Sequence, residues 1–209
     1  MEIDEFALTN SKIIESEFNI NPVKTTFHLY NNAEWQILCH SIDIDCLSEG
    51  VYLPRNLEAH LLEQCKFLEI NFLHEYFGHG LFCEHAKKGK ILVSLEKDLI
   101  ELEKKILGLV QLPDKKMISI DNRSPYFKQY IEKQQQIVSF FKENLGLYEG
   151  FAIWMEYYLA KQNNKEAMFE EKFSRPAYKR NKGLLEKFIK FEKENGVQIL
   201  MHKVGFYTG

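Results

Sequence analysis

Three of the seven histidines in this 209-residue chain fall in one stretch, INFLHEYFGHGLFCEH, from Ile70 to His85. His74 is followed at once by Glu75, and His79 stands between Gly78 and Gly80, so the core of the stretch reads H-E-x-x-G-H. Two imidazoles beside a carboxylate are the groups that hold a catalytic zinc and move a proton next to it. In the commoner H-E-x-x-H pattern, i, i+4 spacing puts both rings on one helical face and the glutamate serves as base. Here a glycine occupies the place of the second histidine, which arrives one residue late.

That extra residue has a geometric cost. An α-helix turns about 100° per residue, so an i, i+4 pair is offset by roughly 40° and an i, i+5 pair by roughly 140°. Rings that far apart cannot both reach one Zn²⁺ at about 2.0–2.1 Å. They converge only if the helix widens locally, as in a single-turn π-bulge, a feature common at functional sites. Gly78 favours the distortion because it lacks a Cβ. The spacing therefore predicts a metal site on a widened helix.

Two histidines leave a further protein ligand to find, since catalytic zinc commonly has three plus water. Glu149 is the candidate. It lies in L-Y-E-G-F-A-I-W-M-E, and a carboxylate among Leu147, Phe151, Ala152 and Trp154 is costly to bury unless paired or metal-bound. Its alternative is an acid favoured by the dipole of a helix N-terminus. Gly150 is expected to let this helix pack closely on the His74–His79 helix. Glu156, two turns further on, either orients a histidine or is a plain surface acid, and the second reading is preferred. Cys83 and His85 offer another ligand set with His79, but one that matches no standard zinc spacing and leaves Glu75 without a role.

HEYFGH resembles the H-E-x-x-G-H motif of the dipeptidyl peptidase III family, and a later helix bearing a glutamate ligand is the arrangement of the wider gluzincin metallopeptidases. The run E-G-F-A-I-W-M-E is similar to the third-ligand helix of several small zincin-like families. The resemblance implies His74, His79 and Glu149 as zinc ligands and Glu75 as general base. It covers two short helices, and the chain is far shorter than dipeptidyl peptidase III enzymes, so their substrate preference does not carry over.

The elements that must position these residues follow from pattern. Ser11–Ile20, Thr25–Tyr30 and Trp35–Ile44 are β-like, broken at Asn21-Pro22 and Asn31-Asn32, and predict a small mixed or antiparallel sheet. Gly50–Pro54 reads either as an edge strand, able to pair with an extended peptide, or as a connector. From Asn56, a plausible N-cap, apolar residues recur at helical steps to about His85, with His60 at the surface or boundary. Lys87–Lys90 reads as that helix's C-terminus. Leu95–Leu107 is an amphipathic helix with a solvated charged face. Val110–Asn122 reads as a loop or strand. Pro125 opens a helix to about Leu145, Gly146 interrupts it, and Leu147–Lys161 forms another. Asn163–Phe173 is partly helical, and a basic helix spans about 178–194, closed by Gly196. Tyr178 and Arg175 are residue types able to donate to a transition-state oxyanion, although packing is the preferred reading for both.

The fold class expected is α+β: a mainly helical zincin-like domain spanning 1–209, with a small N-terminal sheet in 1–55 and a helical part, 56–209, carrying the site. Length and an apolar fraction of 45% suit one core. A net charge of −3 gives no electrostatic case for nucleic acid or an anionic membrane. The acidic start lacks a signal-peptide pattern, no run is apolar enough to span a bilayer, and Cys39, Cys46, Cys65 and Cys83 form no C-x-x-C pair. These features lead to an expectation of a cytoplasmic protein with reduced thiols. The activity expected is zinc-dependent hydrolysis of peptide bonds in a peptide or protein substrate. The rival is a zincin-shaped binding or regulatory module without catalysis. Oligomeric state is not legible.

Overall fold

Phe6, Asn10, Ile14 and Phe18 recur every four residues and form the buried stripe of the first helix, α1 (Ile3–Phe18). The computed structural model describes residues 2–21, 23–109, 124–179 and 181–206. The Val110–Asn122 segment lies outside them. Ser11–Ile20 is thus largely helix and not strand: the i+4 spacing of Phe6, Asn10, Ile14 and Phe18, all fully buried, decides its conformation. Trp35–Ile44 is likewise helical as far as Ile42, the end of α2 (Asn32–Ile42). Asn31, read as a turn residue, is its N-cap and forms a capping box with Glu34.

Between these helices runs β1 (Thr26–Tyr30), as the pattern indicated. β2 (Gly50–Leu53) pairs antiparallel with β3 (Glu58–Leu62), and β3 pairs parallel with β1. The sheet is mixed, in the order β1-β3-β2, which leaves β2 at an edge. β3 corrects the helix expected from Asn56. The side chain of Asn56 caps nothing and donates to the Glu58 carboxylate, and the sheet reaches past residue 55. His60 alternates onto the outer sheet face yet is only 5% exposed, so it is a buried residue.

The site helix starts at α3 (Leu68–Phe72), passes through a π-helical segment (Leu73–His79), and ends in α4 (Gly80–His85). At Ala86 the backbone turns extended, and Lys87, expected in a terminal turn, instead begins α5 (Lys87–Leu109), which includes the amphipathic stretch. Gly146 does not interrupt α6 (Pro125–Gln162), a single helix of 38 residues. Then come α7 (Glu166–Phe173), a 3₁₀ turn (Pro176–Tyr178), α8 (Lys182–Asn195) and α9 (Val197–Val204).

The result is a mainly helical α+β fold. Its core is aromatic: Phe18, Phe72, Phe77, Phe82, Phe151 and Trp154 are fully buried between α1, the site helix and the second half of α6. Among the described residues, no helix is long and apolar enough to cross a membrane.

Candidate metal centre

The widened turn predicted from the histidine interval is present, and it covers Leu73 to His79, the whole LHEYFGH run. An extra residue in the turn reduces the angular step per residue, which cancels the divergence of an i, i+5 pair. The His74 and His79 rings accordingly stand edge to face with centroids 4.7 Å apart. Gly78 contributes in a second way. A Cβ there would lie 2.7 Å from the Cα of Ala152, so the bare glycine lets α6 press against the π segment. The close approach expected of Gly150 is therefore made by Gly78, whereas Gly150 faces the Phe188 ring on α8.

That contact sets Glu149 opposite both histidines. Its Oε2 is 3.8 Å from His74 Nε2 and its Oε1 is 3.7 Å from His79 Nε2. One donor atom from each of the three residues lies within 4.8 Å of the others. These separations exceed a hydrogen bond and approach the edge of a tetrahedral shell, which is about 3.3–3.5 Å for bonds near 2.0–2.1 Å. Two imidazoles and a carboxylate are also a donor set that fits a catalytic zinc. Cys83 and His85 do not join the cluster.

Behind the cluster is a relay of which the sequence offered only Glu156, as the less favoured of its two readings. His74 Nδ1 is 2.7 Å from Glu156 Oε2, while Lys172 Nζ donates to Glu156 Oε1 at 2.8 Å. Glu156 is 2% exposed, which corrects its reading as a surface acid. Burial alone would raise the Glu156 carboxyl, but Lys172 and His74 outweigh it and hold it below its ordinary value. Burial would likewise lower His74, and Glu156 reverses that, leaving the imidazole above its usual value. With Nδ1 engaged, His74 turns Nε2 toward Glu149. Lys172 could not have been found from pattern, because it lies on α7 in a polar run with no helical-face signal.

His79 is held differently. Its ring stacks on Tyr148, centroids 4.1 Å apart, and tilts over Tyr52 at 6.1 Å. Its Nδ1 is buried without a hydrogen-bond partner, and burial pushes its pKa well down, so the ring is neutral, the form that ligates. Tyr148 was passed over in the sequence because it precedes the candidate ligand in an apolar run and reads as core.

Glu75 is not part of the three-residue cluster but lines the same cleft. Burial pushes its carboxyl up to about 7, with Glu149 adding to the rise and His74 opposing it. A carboxyl poised near neutrality is suited to taking up and releasing a proton. Gly50, at the start of the edge strand, abuts it: a Cβ there would lie 3.0 Å from Glu75 Cγ. A cavity of about 340 Å³ lined by Tyr52, Pro54, Phe141 and Tyr148 opens on one side of Glu75. A more polar one of about 460 Å³, lined by Asn71, Lys172, Arg175 and Tyr178, opens on the other. Tyr178 thus reaches the cleft, with its ring under Lys172 Nζ at 5.1 Å. Arg175 lines the same cavity, with its guanidinium held 3.4 Å from Glu49 and over the Phe67 ring.

Comparison of the chain with models of protein families, with curated proteins and with solved structures found no match. The functional reading accordingly stands on the site itself.

Proposed function

We propose that this protein is a zinc-dependent hydrolase of peptide bonds, with a zincin-like active site. The observation that carries the reading is the convergence of Glu149, on α6, with His74 and His79 beside Glu75, the two histidines lying on a helix widened where the motif needs it. His74, His79 and Glu149 would hold the ion. When bound, a zinc ion supplies an acidified water and a polarised carbonyl.

The protein's own groups do the rest. Glu75 takes a proton from the attacking water and delivers it to the leaving amine, a transfer matched to its raised pKa. The Lys172–Glu156 pair keeps His74 in one tautomer and one orientation. β2 is an edge strand whose first residue touches Glu75, so an extended peptide pairing with it would carry its backbone past the base. Tyr178 is the candidate donor to the oxyanion.

Glu75→Gln tests the assignment. The variant should bind zinc with the wild-type stoichiometry while peptide hydrolysis falls by at least 10²-fold, in line with loss of a general base. A variant that cleaves as well as wild type would remove Glu75 from that role. Zinc bound without hydrolysis by the wild-type chain over a broad peptide library would favour a non-catalytic zincin-like binding module.

A further inference from the structure

The outer face of the sheet brings together a second pair of imidazoles and a carboxylate. His28 on β1 and His60 on β3 are register partners, and their rings stack with centroids 5.0 Å apart at 21°. Glu58, two residues before His60 and so on the same face, reaches both. Its Oε1 is 3.7 Å from His28 Nε2 and its Oε2 is 3.3 Å from His60 Nε2. These separations are as short as the 3.7 and 3.8 Å between histidine and carboxylate in the cleft.

His60 is the decisive residue. It is 5% exposed, and among the described residues its buried Nε2 has no well-formed hydrogen bond, only the Glu58 carboxylate 3.3 Å away. A buried ring nitrogen left without a partner costs free energy, and such groups in native proteins call for an explanation such as an ion. Its other nitrogen is engaged: Nδ1 is 2.8 Å from the Tyr30 hydroxyl. Asn56 Nδ2 donates to Glu58 Oε2 at 2.9 Å. His60 therefore has a partner on the side away from the cluster, which is how ligating histidines are held in metal sites, while Asn56 holds in place the Glu58 oxygen that faces His60.

We propose that His28, His60 and Glu58 form a second divalent-cation site, selective for zinc over calcium or magnesium because two of its three donors are imidazoles. The donors are less converged than in the cleft. His28, whose side chain is 45% exposed, closes the gap by turning about χ2, which swings its Nε2 toward the point faced by His60 and Glu58. Binding releases a proton only from rings that carry one, and no bond is made or broken within the chain. A cation there ties β1 to β3, the strand that holds β2 against Glu75, and so stiffens the edge of the cleft from the opposite face.

The site does not rest on the proposed hydrolase activity, and its test reads binding alone. Zinc is titrated calorimetrically into the full chain, first stripped with chelator, for wild type and for His28→Ala. The exposed position of His28 makes the variant safe for folding. One fewer equivalent should bind to the variant, whatever the cleft binds. Tyr30→Phe should keep the equivalent and weaken it by roughly 10–100-fold, as loss of an orienting partner does. In ¹⁵N-histidine spectra of His74→Ala/His79→Ala protein, zinc should still shift the His60 Nε2 resonance. Equal stoichiometry in wild type and His28→Ala, or a His60 resonance unmoved by zinc, would overturn the site.

Discussion

At the residue scale, the cleft shows how burial divides similar groups into different roles. Glu75, Glu149 and Glu156 are all partly or fully enclosed, yet only Glu156 is held below its ordinary pKa, because it alone has Lys172 beside it. The other two are pushed upward mainly by burial, which His74, and for Glu75 also Lys172, opposes without reversing. This gives a prediction for the metal-free protein. The Glu75 carboxyl, followed by ¹³C spectroscopy with labelled glutamate, should titrate near 7. Zinc should then move that titration to lower pH, since a positive charge favours the carboxylate. A titration indifferent to zinc would mean that the ion does not enter the cluster of His74, His79 and Glu149. The two histidines and Glu75 of the candidate site were legible in the sequence because H-E-x-x-G-H is short and local. Lys172 was not, and the orienting role of Glu156 was only the less favoured reading, because what fixes them is a contact between two helices, made by residues sixteen positions apart.

At the element scale, the widened turn was legible for the same reason that β3 was not. A five-residue interval between two convergent histidines admits one backbone solution, whereas Glu58–Leu62 contains apolar residues that fit a helical or an extended pattern equally well. Long-range pairing with β1 and β2 decided the matter. α1 and α2 were misread because β-branched and aromatic residues were weighed above their i+4 spacing and above the Asn31–Glu34 capping box. The contact between the π segment and α6 makes a comparative prediction. Gly78→Ala puts a methyl 2.7 Å from the backbone of Ala152, so α6 must retreat. Overpacking of this kind costs about 1–3 kcal/mol, and it moves Glu149 away from the histidines. Gly150→Ala meets only the edge of the Phe188 ring, 2.6 Å away, which can swing aside, while alanine is the better helix former. Urea denaturation and zinc titration should therefore find Gly78→Ala the less stable and the weaker binder of the two. The reverse order would show that the close approach of α6 is not what assembles the cluster.

At the scale of the whole molecule, the end of the site helix meets the C-terminal segment. The Lys87 N–H donates to the Gly205 carbonyl, and the His85 ring at the end of α4 stacks on Phe206 at 6.3 Å. This closure joins residues 118 and 121 positions apart, which no local pattern reports, and His85 was weighed in the sequence only as a ligand. Its Nε2 is buried without a partner, and burial is the main cause that holds its pKa below the ordinary value. Lys90 and Lys24 add to that depression, while Glu84 opposes it. His85 is therefore neutral in the fold and free to bind a proton once unfolded, near its ordinary value of about 6.5. The contribution of the neutral ring is present above that pH and is lost as pH falls through the lower folded value. Chemical denaturation in chelator at pH 7.5, 6.5 and 5.5 reads a net slope, to which His79 and His60 contribute with the sign of His85 and His74, Glu75 and Glu149, all raised in the fold, with the opposite sign. The difference between wild type and His85→Gln isolates the ring: the variant, which cannot take up the proton, should gain stability relative to wild type as pH falls from 7.5 to 5.5. Identical slopes for the two proteins would place His85 in contact with solvent and take the closure between α4 and the C-terminal segment out of the stability of the fold.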